Sequence, residues 1–218
     1  MALNTLPAGA FADDAISSDK INLANNFAFT GTVTGAGAGA YEVINSSTST
    51  STSIFEVTGF DNGNNHFLIA AYLQPLTANG SNHLMCQFGN DSGYSSVGHS
   101  VVTEMYARSD GGDLNYYNNS GANDGSKLQM TQNSFAGSTA NPAECYGIFY
   151  IYAANPNQAS VHKHLGGHGM YNHTGSYSMR PAYSGTYGSN TQFKKAKIFL
   201  NSGENLKGTV TLYGSLDS

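Results

Sequence analysis

The sequence predicts an all-β fold: an antiparallel β-sandwich of the jelly-roll type that follows an extended N-terminal arm. Charged residues make up only 11% of the 218 residues, less than half of the roughly 25% that is usual in a globular domain. The 14 Tyr, 11 Phe and 26 Gly residues favour strands and turns over helices. About eight or nine apolar segments recur at intervals of about 8–15 residues, and no segment of useful length has a helical period.

The clearest strands lie near the C-terminal end, in residues 192–200 and 206–214. In the first, Ala196, Ile198 and Leu200 alternate with Lys and Phe side chains, and the second segment alternates in the same way. Such alternation marks a strand with one buried side and one solvent-facing side. The Asn-Ser-Gly-Glu-Asn sequence between them favours positive φ angles and local hydrogen bonds. The two segments are therefore predicted to form a β-hairpin that closes the sheet system.

Residues 1–45 differ from the rest and are predicted to form an N-terminal arm with a Gly/Ala linker, whereas residues 46–218 form the sandwich. The large apolar side chains of the arm are few and irregularly spaced, and include Phe11, Ile16, Ile21 and Leu23. This is too little apolar surface for the arm to fold alone. We therefore expect the arm to pack on another chain or on another part of an assembly.

Between the arm and the C-terminal strands, apolar segments alternate with turns rich in Asn, Asp, Gly and Ser. The Ser/Thr run at Ser46–Ser53 is either a linker or an exposed sheet edge. The predicted strands that follow are residues 54–58, 66–76, 83–88, 101–107, 126–132, 144–152 and 159–165. The polar segment 109–125 is predicted to be a loop, and the aromatic, Gly-rich segment 166–190 to be loop-like with room for one or two short strands.

The net charge of −5 argues against generic nucleic-acid binding. After Tyr152 the only acids are Glu204 and Asp217, against six Lys and Arg residues. This part of the chain is either a weakly basic surface for an acidic glycan or partner, or a solvated strand face. No segment approaches the roughly 18 apolar residues of a membrane span, and no signal peptide is visible. We therefore expect synthesis in a cytoplasm and no membrane insertion.

The two cysteines, Cys86 and Cys145, each lie in a predicted strand between apolar residues. We expect two buried thiols, because unpaired cysteine behaves as a small hydrophobic residue. A disulfide between neighbouring strands is the alternative, and the sequence does not decide between the two.

Three segments resemble the small jelly-roll domains of bacteriophage tail fibres and virion appendage proteins, notably those of marine phages. They are H-F-L-I-A-A-Y-L, H-L-M-C-Q-F-G-N-D-S-G-Y and K-I-F-L-N-S-G-E-N-L-K-G-T-V-T-L-Y-G. In that group a strand leads into an F-N-G-D-like turn, and residues 88–91, F-G-N-D, stand at this turn here. The chain of that group ends in a short strand finishing L-Y-G, which residues 212–214 match. The resemblance covers residues 54–218 and includes no catalytic signature.

The segment D-A-I-S-S-D-K-I of the arm is similar to the N-terminal segments that dock or trimerise phage fibres. The resemblance implies a homotrimeric virion protein, made in the host cytoplasm, whose arm contacts other virion proteins. The implied attachment residues are Phe11, Ile16, Ile21 and Leu23. A tail fibre that binds a host surface glycan is the first interpretation. A capsid decoration or head-fibre protein is the alternative, because the chain is short and lacks coiled-coil heptads.

Four histidines lie close together in the sequence, at His162, His164, His168 and His173. If V-H-K-H-L is a strand, His162 and His164 lie on one face and could share a metal ion. Three chains around a threefold axis would supply six imidazole nitrogens. No thiolate or carboxylate lies nearby to complete a tetrahedral zinc site within one chain. The alternative is a set of exposed, hydrogen-bonding histidines near a loop, and we expect no other cofactor.

Tyrosines in the polar, Gly-rich segments are the candidate carbohydrate contacts. They are Tyr116, Tyr117, Tyr171, Tyr177, Tyr183 and Tyr187. Tyrosine offers an apolar ring for stacking and a hydroxyl group for hydrogen bonding. The alternative is that these residues pack at subunit interfaces, where tyrosine is also enriched.

The sequence carries no signature of an enzyme: it has no G-x-S-x-G, no H-E-x-x-H and no phosphate-binding loop. Its 14 acids are scattered, so no carboxylate pair of a glycosidase can be assigned. The D-G-G-D sequence at Asp110–Asp113 is weak evidence for calcium and typical of a plain turn. We therefore predict a non-enzymatic structural protein. A free-standing lectin-like module and a polysaccharide hydrolase with a carboxylate pair in a cleft are the competing functional classes.

Overall fold

The computed structural model describes residues 41–61, 66–95, 99–108, 115–120, 127–158, 162–174, 177–187 and 192–215. Within these ranges the chain is almost entirely β-structure, with a 3-10 turn at Pro142–Glu144 and no helix long and apolar enough to span a membrane. The strands are β1 (Glu42–Thr52), β2 (Ile54–Thr58), β3 (His66–Pro75), β4 (Leu84–Asn90), β5 (Gly93–Tyr94), β6 (His99–Arg108), β7 (Asn115–Ser120), β8 (Leu128–Gln129), β9 (Gly147–Ala154), β10 (Lys163–Thr174), β11 (Tyr177–Tyr187), β12 (Lys195–Leu200) and β13 (Leu206–Ser215).

Two antiparallel sheets pack as a sandwich and follow the strand order of a jelly roll. The larger sheet has the order β1-β13-β3-β9-β10-β11-β6-β7, and the smaller sheet has the order β2-β12-β4-β5, with β8 also paired to β4. The eight strands of a jelly roll are lettered B to I in chain order, and here they are β1, β2, β3, β4, β5, β9, β12 and β13. With these letters the neighbouring strands are B-I-D-G in the larger sheet and C-H-E-F in the smaller sheet, which is the strand order of a jelly roll. The predicted antiparallel jelly-roll sandwich is therefore confirmed, and β10, β11, β6 and β7 extend its larger sheet.

The two C-terminal strands form as predicted, but they do not pair with each other. Strand β12 pairs with β2 and β4 in the smaller sheet, whereas β13 pairs with β1 and β3 in the larger sheet. The turn between them, with Gly203 at φ 80°, carries the chain from one sheet to the other. The predicted hairpin is wrong because alternation identifies the buried side of a strand and not its neighbour.

The core lies between the two sheets and consists mainly of aromatic and branched side chains. In β3 and β9, alternate residues point inward and are buried: Phe67, Ile69, Ala71, Leu73, Phe149, Ile151 and Ala153. Aromatic rings contact each other in tilted or edge-on geometry, as between Phe60 and Phe67, whose centroids are 4.9 Å apart. Full burial of one such side chain contributes about 1.5–3 kcal/mol, so the aromatic core is a main source of stability.

The Ser/Thr run of residues 46–53 is a sheet edge and not a linker. It lies mostly in β1, which begins at Glu42 and forms the edge of the larger sheet beside β13. Hydroxyl groups pair across the two strands, with Ser46 Oγ 3.1 Å from Thr211 Oγ1 and Thr48 Oγ1 3.0 Å from Thr209 Oγ1. Such pairs stabilise neighbouring strands.

The Gly-rich segment predicted to be loop-like forms the long antiparallel pair β10 and β11, of 12 and 11 residues. A side chain at Gly167 would lie 2.1 Å from the Tyr150 carbonyl oxygen and 2.4 Å from the Tyr183 ring. Glycine in a strand often marks a position where a bulky neighbour approaches the backbone closely. Here the glycines allow close packing and do not form turns. For this reason their number led to the prediction of a loop where the structure has two long strands.

Both cysteines are free and buried, so the expected buried thiols are confirmed and no disulfide joins them. Burial raises the pKa of both thiols. Residues 1–40 of the predicted arm, which include the attachment residues Phe11, Ile16, Ile21 and Leu23, lie outside the described residues, and the attachment role remains a prediction. Residues 42–45, which were predicted to belong to the arm, lie in β1 of the larger sheet.

Candidate functional site

Three of the six tyrosines proposed as glycan contacts are buried in the core. Tyr171, Tyr183 and Tyr187 are 1%, 4% and 0% exposed, respectively. The Tyr183 hydroxyl donates to the Tyr150 carbonyl at 2.9 Å, and the Tyr187 hydroxyl accepts from the Phe88 amide at 3.2 Å. Burial raises the pKa of all three phenols. An enclosed ring cannot stack on a ligand, so for these three residues the predicted glycan contact is wrong.

The other three tyrosines lie on β11 and β7 of the larger sheet. Tyr177 is half-buried and its ring packs edge-on against Tyr106, with the centroids 5.7 Å apart. Tyr116 and Tyr117 lie in β7 opposite Met105 and Glu104, at the far edge of the larger sheet. The side chains of Tyr116 and Tyr117 lie outside the described part of the chain, so their role remains a prediction.

The predicted histidine pair does come together. His162 and His164 are both exposed, and the buried Lys163 lies between them, as expected when alternate residues share a face. They line a shallow surface pocket with Asn155 and Gln158. Within the described ranges no three His, Cys, Asp or Glu side chains are grouped to hold a metal ion. A metal shared between chains therefore remains a prediction.

The outward side of the larger sheet carries a group of aromatic and apolar residues that, apart from His168, the sequence analysis did not select. We call it the aromatic face, and it consists of Tyr72, Tyr146, Ile148, Tyr150, Tyr152, His168 and Met170. Tyr72, Tyr146 and Tyr152 are 53%, 50% and 44% exposed. These residues lie on β3, β9 and β10, with Tyr146 immediately before β9, and the three strands are neighbours in the sheet. The sequence of β9 could have indicated this group. Its outward positions hold Ile and Tyr, whereas the solvent-facing side of a strand normally has polar residues.

The rings of the aromatic face contact one another. The His168 ring lies 5.4 Å from the Tyr150 ring and 5.9 Å from the Tyr152 ring, and it is nearly parallel to the latter at 26°. The rings of Tyr72 and Tyr146 are 6.3 Å apart. Contacts at these separations are favourable for aromatic rings, and each ring limits the orientations that its neighbour can adopt.

Small residues stand opposite these rings on the neighbouring strands. Ala70 is the cross-strand partner of Tyr150, and Gly166 is the partner of Tyr152. An added side chain at Gly166 would meet only the Tyr183 carbonyl, at 3.9 Å, so the space beside Tyr152 is open. The tyrosine rings therefore project above their neighbours and can be approached from solvent.

A pocket of about 310 Å³ lies where the aromatic face meets the hydroxyl-rich edge of the sheet. We call it the Tyr72 pocket, and its lining includes Thr48, Tyr72, Gln74, Lys207, Gly208 and Thr209. Gly208 has a φ of 139°, and a side chain there would lie 2.0 Å from the Tyr72 carbonyl oxygen. The register of β1 against β13 also shifts between Ser49 and Thr52. A glycine and a strand irregularity thus shape the pocket.

Glu104 is the fully buried carboxylate of the described chain, and it lies apart from solvent. Its oxygens accept hydrogen bonds from the Tyr171 hydroxyl at 2.6 Å, the Asn133 amide at 3.0 Å, the Asn133 side chain at 2.6 Å and the Gln132 amide at 3.4 Å. Burial raises the pKa of this carboxyl, although the hydrogen bonds oppose the shift. With 0% exposure, Glu104 anchors the segment after β8 and cannot reach a substrate.

The aromatic face and the Tyr72 pocket are thus the candidate site, and its residues favour ligand binding through ring stacking and hydroxyl contacts. No family model, curated protein or solved structure matches the chain.

Proposed function

We propose that this chain is a non-enzymatic attachment protein whose sandwich binds carbohydrate through the aromatic face. The observation that carries the proposal is the exposure of Tyr72, Tyr146 and Tyr152 on one side of one sheet. A sugar ring has apolar C–H surfaces that stack on aromatic rings, and its hydroxyl groups need hydrogen-bond partners. Tyrosine supplies both in one side chain.

The surroundings of the rings also suit a sugar. The opposing small residues leave the ring surfaces accessible, and the Thr48 and Thr209 hydroxyls at the adjoining edge can donate and accept hydrogen bonds. Contact between His168 and the two neighbouring tyrosines reduces the conformational entropy that would be lost on binding. These features together favour a binding platform of several ring-sized subsites.

Binding without turnover is the part of the proposal that rests on the sequence, which carries no catalytic signature. A glycosidase needs two carboxyl groups that flank the sugar bond. Glu104 is enclosed by its hydrogen-bond donors in the core and is not exposed on the aromatic face.

We also propose that the protein is a homotrimeric virion component, with a tail fibre as the first location and a capsid decoration or head fibre as the second. This part rests on the resemblance of residues 54–218 to phage appendage domains and on the composition of residues 1–45. In the proposed arrangement the arm contacts other virion proteins and the sandwich faces the host surface glycan.

The proposal is tested by screening the full chain against an array of bacterial surface polysaccharides and titrating the best binder calorimetrically. Tyr152→Ala should weaken binding about tenfold, because a stacked ring contributes on the order of 1.4 kcal/mol. The matched control is Tyr41→Ala, which removes a tyrosine that is 46% exposed outside the aromatic face.

The mass in solution is measured on the same samples. If no polysaccharide binds, or if Tyr152→Ala binds as the wild type does, the carbohydrate proposal is wrong. If Tyr152→Ala instead lowers the mass of the assembly and leaves glycan binding intact, the aromatic face is a subunit interface.

A further inference from the structure

We propose that the Tyr72 pocket is the subsite for an acidic sugar, whose carboxylate pairs with Lys207. This inference rests on the proposed carbohydrate binding and specifies the ligand class: a polysaccharide that contains uronic acid or a similar carboxylated sugar. It assigns to Lys207 a role in selecting the charge of the ligand, whereas the aromatic face supplies the stacking.

The positions of the strands bring the necessary groups together. Tyr72 lies directly opposite Thr209, and Gln74 directly opposite Lys207, on the adjacent strands β3 and β13. Residues so placed have side chains about 4.5–5.5 Å apart at the Cβ atoms. The pocket therefore combines an aromatic ring, a hydroxyl group and an ammonium group within the dimensions of one sugar ring.

The charge of the pocket is positive and unbalanced. Lys207 is exposed, and the ion pairs among the residues that the structure describes are formed by Lys194 and Lys195 and not by Lys207. The remaining residues that line the pocket are neutral. Because the whole chain has a net charge of −5, an acidic polysaccharide is repelled by the protein in general. Productive binding of such a ligand then requires a local cation at the site, and Lys207 provides it.

The pocket is held open by its backbone and by a hydrogen bond. The Gln74 side chain donates through Nε2 to the Pro142 carbonyl at 2.7 Å, which fixes the wall beside Lys207. At Gly208 the absence of a side chain allows the β13 backbone to approach the Tyr72 carbonyl closely, because a Cβ there would lie 2.0 Å from the carbonyl oxygen. The lining is thus in place before a ligand arrives, and only the flexible lysine must order on binding.

The test compares acidic polysaccharides with their neutral counterparts. Alginate, polygalacturonate and hyaluronan are each titrated into the full chain beside their carboxyl-reduced forms, in which the uronic acid has become a neutral sugar. At least one acidic form should bind about threefold or more tightly than its reduced form, as expected for an exposed ion pair. Lys207→Met should remove this preference, so that the variant binds the acidic form and the reduced form with equal affinity.

The control is Arg180→Met, which removes one positive charge from the outward side of β11, away from the pocket. It should keep the preference for the acidic form. Equal binding of the acidic and reduced forms by the wild type, or a preference that persists in Lys207→Met, overturns the inference. If the wild type still binds the neutral, carboxyl-reduced polysaccharide and Tyr152→Ala does not, the proposed carbohydrate binding stands without the acidic subsite. Absence of any carbohydrate binding overturns both.

Discussion

The imidazole ring of His168 lies against the ring of Tyr152, with the centroids 5.9 Å apart and the planes inclined by 26°. The same imidazole is 5.4 Å from the ring of Tyr150, its cross-strand partner on β9. Three rings from two neighbouring strands thus form one continuous surface. Because each ring limits the movement of the next, we expect this part of the aromatic face to be ordered before a ligand binds.

Removal of His168 should therefore weaken binding without a large loss of stability. In His168→Ala the two tyrosine rings gain rotational freedom that must be lost again on binding. We expect affinity for the selected polysaccharide to fall about two- to fivefold, from roughly 0.5–1 kcal/mol of added ordering cost. Calorimetric titration measures this, with His164→Ala, on the same strand but outside the aromatic face, as the control. Equal affinities of the two variants would contradict the account.

Glu104 should be essential for stability and not for binding. In Glu104→Gln the side chain has the same size and shape, but one carboxylate oxygen is replaced by an NH₂ group. This NH₂ group would face hydrogen-bond donors that in the wild type donate to the carboxylate. We expect a loss of about 1–3 kcal/mol in the free energy of unfolding, which lowers Tm by about 2–4 °C for each kcal/mol in a protein of this size. Glu144→Gln, at an exposed acid, should change the free energy of unfolding by less than about 0.5 kcal/mol. Similar denaturation curves for both variants would refute the anchoring role.

The raised pKa of Glu104 also predicts the sign of a pH dependence. A carboxyl whose pKa is higher in the folded than in the unfolded state binds its proton more tightly when folded. Its contribution to stability is therefore complete below the ordinary value of 4.5 and is lost as the pH rises through the raised pKa. Relative to Glu104→Gln, the wild type should lose stability as the pH rises from 4.5 into the neutral range. Urea denaturation of both proteins across this range measures the difference, and a constant or opposite difference would show that the pKa is not raised.

Two adjacent glycines of β10 should respond very differently to substitution by alanine. A side chain at Gly167 would collide with the Tyr150 carbonyl at 2.1 Å and with the Tyr183 ring, whereas at Gly166 the nearest atom is 3.9 Å away. Gly167→Ala should cost about 2 kcal/mol or more, because backbone cannot easily give way. Gly166→Ala should be within about 1 kcal/mol of the wild type. Chemical denaturation compares them, and equal stabilities would mean that the strand packing is not as described.

The sequence was sufficient for the fold class but not for the pairing of strands. Alternation in residues 195–200 and 206–215 identified both strands and their buried sides. It could not show that β12 and β13 belong to different sheets. Two consecutive strands have the same alternation of buried and exposed residues whether they pair in a hairpin or cross from one sheet to the other. Long-range pairing decides the neighbours, and a single sequence carries little information on it.

The candidate site was missed for a related reason. In β11, Tyr183 and Tyr187 alternate with Ala182, Ser184 and Thr186, a pattern that places the rings in the core. The Gly-rich composition concealed that alternation and favoured a loop interpretation. In β9 both sides are apolar, so the sequence could not distinguish the buried Phe149 from the exposed Tyr152. Only the position of the smaller sheet decides which side is covered.

The most direct test of the account is hydroxyl-radical footprinting of the full chain, read by mass spectrometry, with and without the polysaccharide selected on the array. If carbohydrate binds on the aromatic face, oxidation of Tyr72, Tyr146 and Tyr152 should decrease when the ligand is present, while oxidation of Tyr41 stays the same. Binding that leaves these three tyrosines as reactive as before, or that protects the smaller sheet near Tyr94 instead, would contradict the account.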